Sequence, residues 1–508
     1  MKMHQSNSAL FIALSALTVT TSSPVLAQNN PRAGSLIPRD VFFHAPERTS
    51  VQVSPDGEQI AFLAPLAGVL NLWVLPANDP DVQARPITAS ATQPVRTFFW
   101  AMNGHQLVYE QYRPSYRNVR MYAVSIEDGA EVPLTPFENA QATFIAKSEA
   151  FPDEILITLN QRDALQHDAC RLNTTTGELV TVLQNDLGFT SFMADANLNP
   201  LLAMRYTASG VLKAYTRPTV DDAWEQLIAW GPQDSQTSGP VGYSADGQSL
   251  YLMDSRESET GGLYVYATTE DGVGTYELVA SNTKADVRQV IMDPISGHPQ
   301  AIGFEYARME WRILDESIRP DWDYLVSVDP GEMSIVSRSA DDRRWIVAFE
   351  HDNRPKDYYL FDRDRAEARH LFNDRPELDN LRLASMETVI IQARDGLNLV
   401  GYLTRPVDAR RRPTPMVLLV HGGPWSRDSW GYNPIHQWLA NRGYSVLSVN
   451  YRGSIGFGKP FVDAGNREWA GKMHQDLVDA AQWAIKQRVA IPNKIAIMGS
   501  SYGGYAVL

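Results

Sequence analysis

Cysteine is almost absent from this sequence: Cys170 is the single cysteine among 508 residues. One cysteine cannot form an intrachain disulfide, and it excludes a zinc site built from several cysteines. We therefore expect Cys170 to be a small buried apolar residue. Because the sequence also lacks an H-E-x-x-H motif and a phosphate loop of the required spacing, it predicts neither a metal site nor a cofactor.

Positive charge and long apolar runs are also scarce. The chain has 45 Lys and Arg against 59 Asp and Glu, which gives a net charge of −14 at pH 7. Nucleic acids and anionic lipid surfaces bind proteins through dense positive charge, so neither is an expected partner. No stretch approaches the roughly 18 apolar residues of a membrane-spanning helix, so no stable membrane anchor is expected. The sequence leaves open whether copies of the chain form an oligomer.

Residues 1–27 have the pattern of a secretory signal peptide. Lys2 provides a positive start, residues 9–19 are a largely apolar run, and Val25-Leu26-Ala27 offers small residues for cleavage before Gln28. A run of this length is too short to span a bilayer core of about 30 Å. The sequence therefore predicts export, to the periplasm or to the extracellular space.

Residues 40–384 consist of short alternating strands separated by turn residues. In Ser54-Pro55-Asp56-Gly57, proline fixes one turn dihedral and glycine accepts a positive φ, and an alternating strand follows. Similar units recur every 44 to 50 residues, with turn positions at Asp56, Asn103, Asp153, Asn197, Asp246, Ser296 and Asp342. Units of near-constant length, each mostly strand, predict an all-β propeller of about seven blades over residues 40–384.

Residues 385–508 have a different rhythm, in which apolar strands alternate with helical segments. The continuous apolar run at residues 416–420 is typical of a parallel strand covered on both faces, and residues 473–487 carry apolar side chains at helical spacing. This alternation predicts an α/β domain that follows the propeller.

The last predicted strand leads into Gly499-Ser500-Ser501-Tyr502-Gly503, which matches the G-x-S-x-G motif with Ser501 at its centre. In α/β-hydrolases this serine lies on a strained strand-to-helix turn, where larger side chains at the flanking glycines would collide with backbone. Because an apolar strand precedes the motif and helix-forming residues follow it, Ser501 is the predicted nucleophile.

A second motif, His421-Gly422-Gly423-Pro424, follows the apolar strand that ends at Val420. A glycine-rich loop at this place supplies one backbone N–H to the oxyanion hole of α/β-hydrolases, and the residue after the nucleophile supplies the other. These donors are predicted to be Gly423, or its neighbour Gly422, and Tyr502.

We interpret the glycine-rich residues 453–458 as a flexible loop beside the active site. The sequence leaves open whether Trp425 and Trp430 line a pocket or fill the core.

Together these motifs resemble the prolyl oligopeptidase family of serine peptidases, in particular its acylaminoacyl-peptidase-like branch. The resemblance rests on Ser54-Pro55-Asp56-Gly57, Arg394-Asp395-Gly396, His421-Gly422-Gly423-Pro424, Asn450-Tyr451-Arg452-Gly453-Ser454 and the segment 499–505. It implies a propeller set over an α/β-hydrolase domain, and short peptides as substrates. Some branches use a tyrosine side chain as an oxyanion donor where this chain has His421. The dipeptidyl-peptidase branch binds amino termini with an adjacent Glu pair, which this sequence lacks.

The predicted catalytic machinery lacks its base within this sequence. In α/β-hydrolases the acid and the histidine follow the nucleophile, yet only seven residues follow Ser501 and all ten histidines precede it. We therefore interpret residues 385–508 as the N-terminal half of a hydrolase domain and the chain as a fragment that is inactive as it stands. A natural catalytically inactive form is the alternative.

The sequence thus predicts an exported serine peptidase that cleaves short peptides through an acyl-enzyme on Ser501. An esterase is a second interpretation, because the same elbow and oxyanion loop can serve an ester bond. A third is a binding protein, in which the propeller holds a ligand and the hydrolase part is inactive.

Overall fold

Seven small antiparallel sheets occupy residues 49–373, and each is built from strands that are consecutive in the chain. The structure is a computed structural model that describes residues 36–79, 82–113, 118–268, 274–409 and 412–508. The predicted signal peptide lies outside the described residues. Residues 38–508 form one compact unit.

The sixth sheet along the chain has three strands, and each of the other six has four. The first four blades consist of β1 (Thr49–Val53), β2 (Gln59–Leu66), β3 (Val69–Pro76), β4 (Arg85–Pro86), β5 (Val95–Trp100), β6 (Gln106–Arg113), β7 (Asn118–Ser125), β8 (Glu131–Pro133), β9 (Ala142–Ser148), β10 (Phe151–Asp163), β11 (Gln166–Asn173), β12 (Leu179–Leu183), β13 (Ser191–Ala194), β14 (Pro200–Tyr206), β15 (Leu212–Thr216) and β16 (Glu225–Trp230). The last three consist of β17 (Gly239–Tyr243), β18 (Ser249–Asp254), β19 (Gly262–Thr268), β20 (Gly274–Ala280), β21 (Val287–Met292), β22 (Pro299–Glu305), β23 (Met309–Ile313), β24 (Glu332–Arg338), β25 (Arg344–Glu350), β26 (Asp357–Asp362) and β27 (Glu367–Asn373).

Separate apolar cores lie between neighbouring sheets and close them into a ring. One core joins each blade to the next along the chain. A further core joins the last blade to the first, where Ile346 and Ala348 pack with Ile60 and Phe62. The molecule is therefore a seven-bladed β-propeller, as the repeat predicts.

The repeat positions coincide with the connection between the first two strands of a blade, with one exception. Asp153 lies inside β10, whose pairing with β9 is irregular near Phe151. The turn of that blade is at residues 149–150 instead, so the placement of this repeat was wrong by a few residues. A Pro-Asp pair that resembles a turn is here accommodated within a bulged strand.

A helical segment follows β23 in the sixth blade, where the other blades have a fourth strand. A short 3-10 helix, Glu316–Ile318, leads into the helix Arg319–Val328, which we call α2 because the helix α1 (Arg39–Phe43) precedes it. Trp322 of α2 packs edge-on against Trp311 at 5.3 Å between ring centroids. The helix thereby supplies apolar side chains to the core between the sixth and seventh blades.

The seam between the first and last blades is also held by polar contacts. Arg344 donates to the carbonyl of Gly57 at 2.6 Å and to the side-chain oxygen of Asn78 at 2.7 Å. The backbone N–H of Ala340 donates to the carbonyl of Pro55 at 2.8 Å. Because no strand passes between these two blades in the described sheets, the seam depends on side chains and turns.

The second part of the molecule is a mixed five-stranded sheet with helices. Its elements are β28 (Met386–Gln392), β29 (Asn398–Thr404), β30 (Thr414–Val420), α3 (Pro434–Asn441), β31 (Ser445–Val449), α4 (Lys459–Asp463), α5 (Lys472–Lys486), β32 (Ala490–Gly499) and α6 (Tyr502–Val507). The strand order is β28-β29-β31-β30-β32, with an antiparallel β28–β29 hairpin and parallel pairing among β31, β30 and β32. This arrangement is the α/β-hydrolase part of the molecule. The boundary between the propeller domain and the hydrolase domain, placed between residues 384 and 385 from the sequence, stays a prediction.

Membrane-crossing helices are not found among the residues that the structure describes, because none of the helices is both long and apolar enough.

Cys170 is a buried free thiol between the second and third blades, as its apolar role requires. Its sulfur lies 3.6 Å from the hydroxyl of Thr181.

Candidate active site

Ser501 stands at the turn between β32 and α6, and its backbone is strained. Its dihedrals are φ 54° and ψ −122°. A non-glycine residue with positive φ is uncommon and carries an energetic cost, which the surrounding structure must offset. Because Ser501 is exposed, this turn presents its hydroxyl to solvent, as a nucleophile requires.

The two flanking glycines of the motif are required by close backbone approaches. A Cβ on Gly503 would lie 2.1 Å from the carbonyl oxygen of Val420, and a Cβ on Gly499 would lie 2.5 Å from the carbonyl carbon of Gly503. Neither φ is positive, so the requirement comes from space and not from backbone conformation. The end of β30 and the start of α6 can approach only because position 503 has no side chain.

The glycine-rich loop after β30 lies directly beside the nucleophile. A Cβ on Gly422 would be 3.3 Å from the Cβ of Ser501. Gly423 has φ 119°, a region that favours glycine. Tyr502 is the first residue of α6, where backbone N–H groups have no acceptor within the helix. The structure thus places the predicted donors, Gly423 and Tyr502, on the two segments that flank Ser501.

The His421 side chain is engaged within its own loop. Its Nδ1 donates to the carbonyl of Gly422 at 2.7 Å, and its Nε2 is hydrogen bonded to Ser454 Oγ at 3.0 Å. The ring also stacks on Tyr451, with 4.4 Å between centroids, and burial lowers the pKa of His421 to about 4. His421 is therefore a neutral residue that holds the glycine-rich loop, with neither nitrogen directed to Ser501.

The loop at residues 453–458 is fixed, so its interpretation as a flexible loop was wrong. Ser454 is fully buried, and Asp286 of the propeller accepts a hydrogen bond from the N–H of Gly458 at 3.1 Å. The N–H of Asp286 in turn donates to the carbonyl of Gly456 at 3.2 Å. The glycines allow the backbone to come this close, since a Cβ on Gly458 would lie 2.6 Å from the carbonyl of Glu259.

Arg452 anchors the other end of this loop inside the hydrolase part. Its guanidinium binds Asp476 of α5 with contacts of 2.7 and 2.8 Å and Asp395 of the β28–β29 turn with contacts of 2.8 and 3.0 Å. Asp476 is fully buried, so this charge is paired within the protein. The Arg452 guanidinium lowers the pKa of Asp395 to about 2.

A second attachment to the propeller lies just after the glycine-rich loop. Arg427 donates to the carbonyls of Glu305 at 2.6 Å and Tyr306 at 2.9 Å, and lies 3.4 Å from the Glu305 carboxylate. The Arg427 side chain is 4% exposed. Lys459 makes a further link, with Nζ 2.9 Å from Asp234 Oδ1. The segments that position the active site therefore rest directly on the propeller.

Trp425 and Trp430, whose roles the sequence left open, have different surroundings in the structure. Trp430 packs on the hydrolase core, donates to the carbonyl of Met386 at 3.0 Å and lies under the Arg308 guanidinium at 3.5 Å. Trp425 is 57% exposed and follows the glycine-rich loop. Trp430 is thus structural, and Trp425 is available to a ligand.

An aromatic group beside the nucleophile was not identified from the sequence. Trp469 packs against Tyr502 at 5.0 Å and against Tyr505 at 5.2 Å between ring centroids. A pocket of about 320 Å³ is lined by Tyr502 and Tyr505 of this group and by His474. Trp469 stands 32 residues before Ser501, so sequence spacing gave no signal for this contact.

In the part of the chain that the structure describes, no histidine is hydrogen bonded to Ser501. His421 is engaged as described, and His436 is buried between Thr404 and Ser448, each 2.9 Å from a ring nitrogen. His474 is exposed at the start of α5.

Comparison with known proteins assigns the chain to a family. The family model described as "Prolyl oligopeptidase family" matches residues 430–508. The chain is 40% identical to dipeptidyl aminopeptidase BIII of Pseudoxanthomonas mexicana, over 98% of this chain and 74% of that protein. It is 30% identical to dipeptidyl peptidase family member 6 of Caenorhabditis elegans, over 93% of this chain and 68% of that protein.

A solved structure shows the same fold. A puromycin-hydrolyzing peptidase of Mycobacterium tuberculosis superposes with a TM-score of 0.69 at 15% identity, covering 92% of this chain and 76% of that chain. Acylaminoacyl peptidases are also among the solved structures that resemble it. The propeller and the hydrolase sheet agree with the two relatives that this chain matches over more than two thirds of their length. The chain belongs to the prolyl oligopeptidase family of serine peptidases.

Proposed function

We propose that this protein hydrolyses short peptides through an acyl-enzyme formed on Ser501. The observation that carries the proposal is the strained turn at Ser501. Gly503 allows this turn to contact the backbone of Val420 at the end of β30, directly before the glycine-rich loop. Such strain is typical of functional sites, and here it exposes one hydroxyl beside the two segments that carry the predicted donors, Gly423 and Tyr502.

The reaction proceeds in two steps. Ser501 Oγ attacks the scissile carbonyl carbon and loses its proton to a histidine, and the N–H groups of Gly423 and Tyr502 bind the oxyanion. The C–N bond then breaks, and the amine leaves with the proton from that histidine. Water, deprotonated by the same histidine, attacks the acyl-enzyme, releases the peptide acid and restores the Ser501 hydroxyl.

We propose that the histidine and its orienting aspartate lie beyond residue 508, so that the 508-residue chain is nearly inactive. The support is that no histidine among the described residues is hydrogen bonded to Ser501, and that His421, on the loop beside it, is engaged by Gly422 and Ser454. Loss of a triad histidine reduces turnover by several orders of magnitude.

For the substrate, we propose short peptides with a free amino terminus, from which dipeptides are released. The support is that two relatives matched over most of this chain are named dipeptidyl peptidases. Since the sequence has no adjacent Glu-Glu pair, another group must bind the amino terminus. The exposed Trp425 beside the glycine-rich loop is available to contact the substrate.

Labelling with a fluorophosphonate tests the nucleophile. In the chain extended through the downstream Asp and His, we expect modification of Ser501 and turnover of a dipeptide amide, both lost in Ser501→Ala. Ser500→Ala, next to it in the same turn, is the matched control and should keep both activities. The 508-residue chain should label at less than about one thousandth of the extended rate, as expected for loss of the triad base.

The other outcomes are distinguishable. Strong labelling of Ser501 in the 508-residue chain would show that an upstream base exists, and His421→Gln and His474→Gln would then identify it. Faster hydrolysis of esters than of amides would favour an esterase. Cleavage of N-acetylated but not free-amino peptides would favour an acylaminoacyl peptidase, and no labelling of the extended chain would favour a binding protein.

We also propose that the protein is exported and loses residues 1–27. The positive start, the apolar run and the small residues before Gln28 support this. N-terminal sequencing of protein from the periplasm or the medium should begin at Gln28, and recovery of exported protein that begins at Met1 would contradict the proposal.

A further inference from the structure

Three polar side chains meet at one point of the propeller, one just before the seventh blade and two where its second and third strands connect. Asp329 follows α2, His351 follows β25 and Asp357 begins β26. One ligand atom from each lies within 4.8 Å of the others. His351 Nε2 is 3.1 Å from Asp329 Oδ1 and 3.8 Å from Asp357 Oδ2. A ring nitrogen and two carboxylate oxygens thus converge from three separate segments.

Both carboxylates are also bound by residues outside this group, and the N–H of Gly331 donates to Asp329 Oδ1 at 2.7 Å. Arg354 donates to Asp329 Oδ2 at 2.5 Å, and its other terminal nitrogen is 3.9 Å from Asp357 Oδ2. His370 Nε2 is hydrogen bonded to Asp357 Oδ1 at 2.9 Å. Such outer contacts orient the carboxylates, as supporting residues do around metal ligands, and Asp329 Oδ1 and Asp357 Oδ2 are the oxygens nearest His351 Nε2.

His351 Nε2 is buried and has no hydrogen-bond partner among the described residues. The side chain of His351 is 6% exposed. A buried polar atom without a partner costs about 1–3 kcal/mol, so native proteins rarely leave one unsatisfied. Despite the short distance to Asp329, the geometry is not that of a hydrogen bond.

We propose that Asp329, His351 and Asp357 bind a divalent first-row transition metal, with Zn²⁺ as the best match. Imidazole nitrogen together with carboxylate oxygen favours such metals over Ca²⁺ and Mg²⁺, which take oxygen ligands. Tetrahedral zinc with bonds of about 2.0–2.2 Å separates its ligand atoms by roughly 3.4 Å. The observed 3.1 and 3.8 Å lie on either side of that spacing. Water completes the coordination.

The metal would stabilise a loop that contacts the hydrolase part. Asp352, the neighbour of His351, accepts hydrogen bonds from the N–H of Met386 at 2.6 Å and, through its carbonyl, from Gln437 at 2.8 Å. Fixing His351 therefore fixes Asp352 against the start of β28 and against α3. The sequence predicted no metal site because these ligands are spaced by 22 and 6 residues and form no local motif.

Metal binding to the chelator-treated 508-residue chain tests this proposal. We expect one equivalent of Zn²⁺ to bind and to raise the melting temperature, and Co²⁺ to bind at the same site with a visible absorption band that Zn²⁺ removes. Ca²⁺ and Mg²⁺ should do neither. His351→Gln keeps the side-chain volume and should weaken Zn²⁺ binding by about tenfold or more, as should Asp357→Asn.

The matched control is His105→Gln, which removes an exposed histidine from the second blade and should leave Zn²⁺ binding unchanged. Equal Zn²⁺ affinity of the wild-type chain and of His351→Gln would overturn the proposal. The Co²⁺ spectrum of the wild-type chain decides the question even if the variants fail to fold, since absence of a stoichiometric Co²⁺ or Zn²⁺ complex would also overturn it.

Discussion

Gly503→Ala is expected to abolish the function of the nucleophile turn while leaving the propeller folded. The added Cβ would lie 2.1 Å from the carbonyl oxygen of Val420, and backbone at the end of a central strand cannot shift cheaply. The start of α6 must move instead, which displaces Ser501. A displacement of about 1 Å costs roughly 100-fold in rate, so fluorophosphonate labelling and turnover of the extended protein should fall by at least that factor.

Gly504→Ala is the matched control, because it adds the same methyl group one residue later. There a Cβ would be no closer than 3.6 Å to the carbonyl of Gly499, which is an ordinary contact. Alanine also favours the helix over glycine by about 1 kcal/mol, so this variant should label normally and melt no lower than the wild type. Equal labelling of the two variants would show that the collision does not govern the site.

Arg427→Gln should produce the largest loss of stability at the contact between the propeller and the hydrolase part. The side chains of Arg427 and Glu305 are 4% and 9% exposed, so removing the guanidinium leaves a buried carboxylate with a weaker set of partners. It also removes donors to the carbonyls of Glu305 and Tyr306. Breaking a buried pair costs about 3–5 kcal/mol, and urea denaturation followed by tryptophan fluorescence measures this change.

The control for that prediction is Arg382→Gln, because its ion pair with Asp408 is on the surface. These side chains are 76% and 60% exposed. Pairs of this kind contribute about 0–1 kcal/mol, so the urea midpoint should hardly move. If Arg427→Gln were as stable as Arg382→Gln, the attachment of the glycine-rich loop region to the propeller would not depend on Arg427.

The repeat in the propeller could be predicted because turn chemistry is local. Gly57, Gly104 and Gly247 have φ values of 77°, 71° and 72°, and each of these turns was identified from its own few residues. The nucleophile turn was likewise predictable, because Gly499 and Gly503 are required by contacts within one motif and its neighbouring strand. Local sequence therefore determined the blades and the position of Ser501.

Contacts between distant segments were not predictable in this way. Asp286 and Gly458 are separated by 172 residues, and Arg427 and Glu305 by 122. No periodicity connects such positions, so the loop at residues 453–458 was interpreted as flexible although the propeller holds it in place. The helix α2 was missed for a related reason, since its role is to fill space that other blades fill with a strand.

The ring closure has a consequence for cooperativity. Each blade is made of consecutive strands, so an open row of seven blades would already have six of the apolar interfaces, and closure adds the seventh between the last and first blades. If each blade interacts only with its neighbours, the seventh interface forms between blades that are already folded. The apolar surface that it buries therefore adds to the stability with little further loss of conformational entropy. Local damage at the seam, for example at Arg344, would therefore weaken one coupling, whereas damage inside a blade would weaken two and unfold the array more readily.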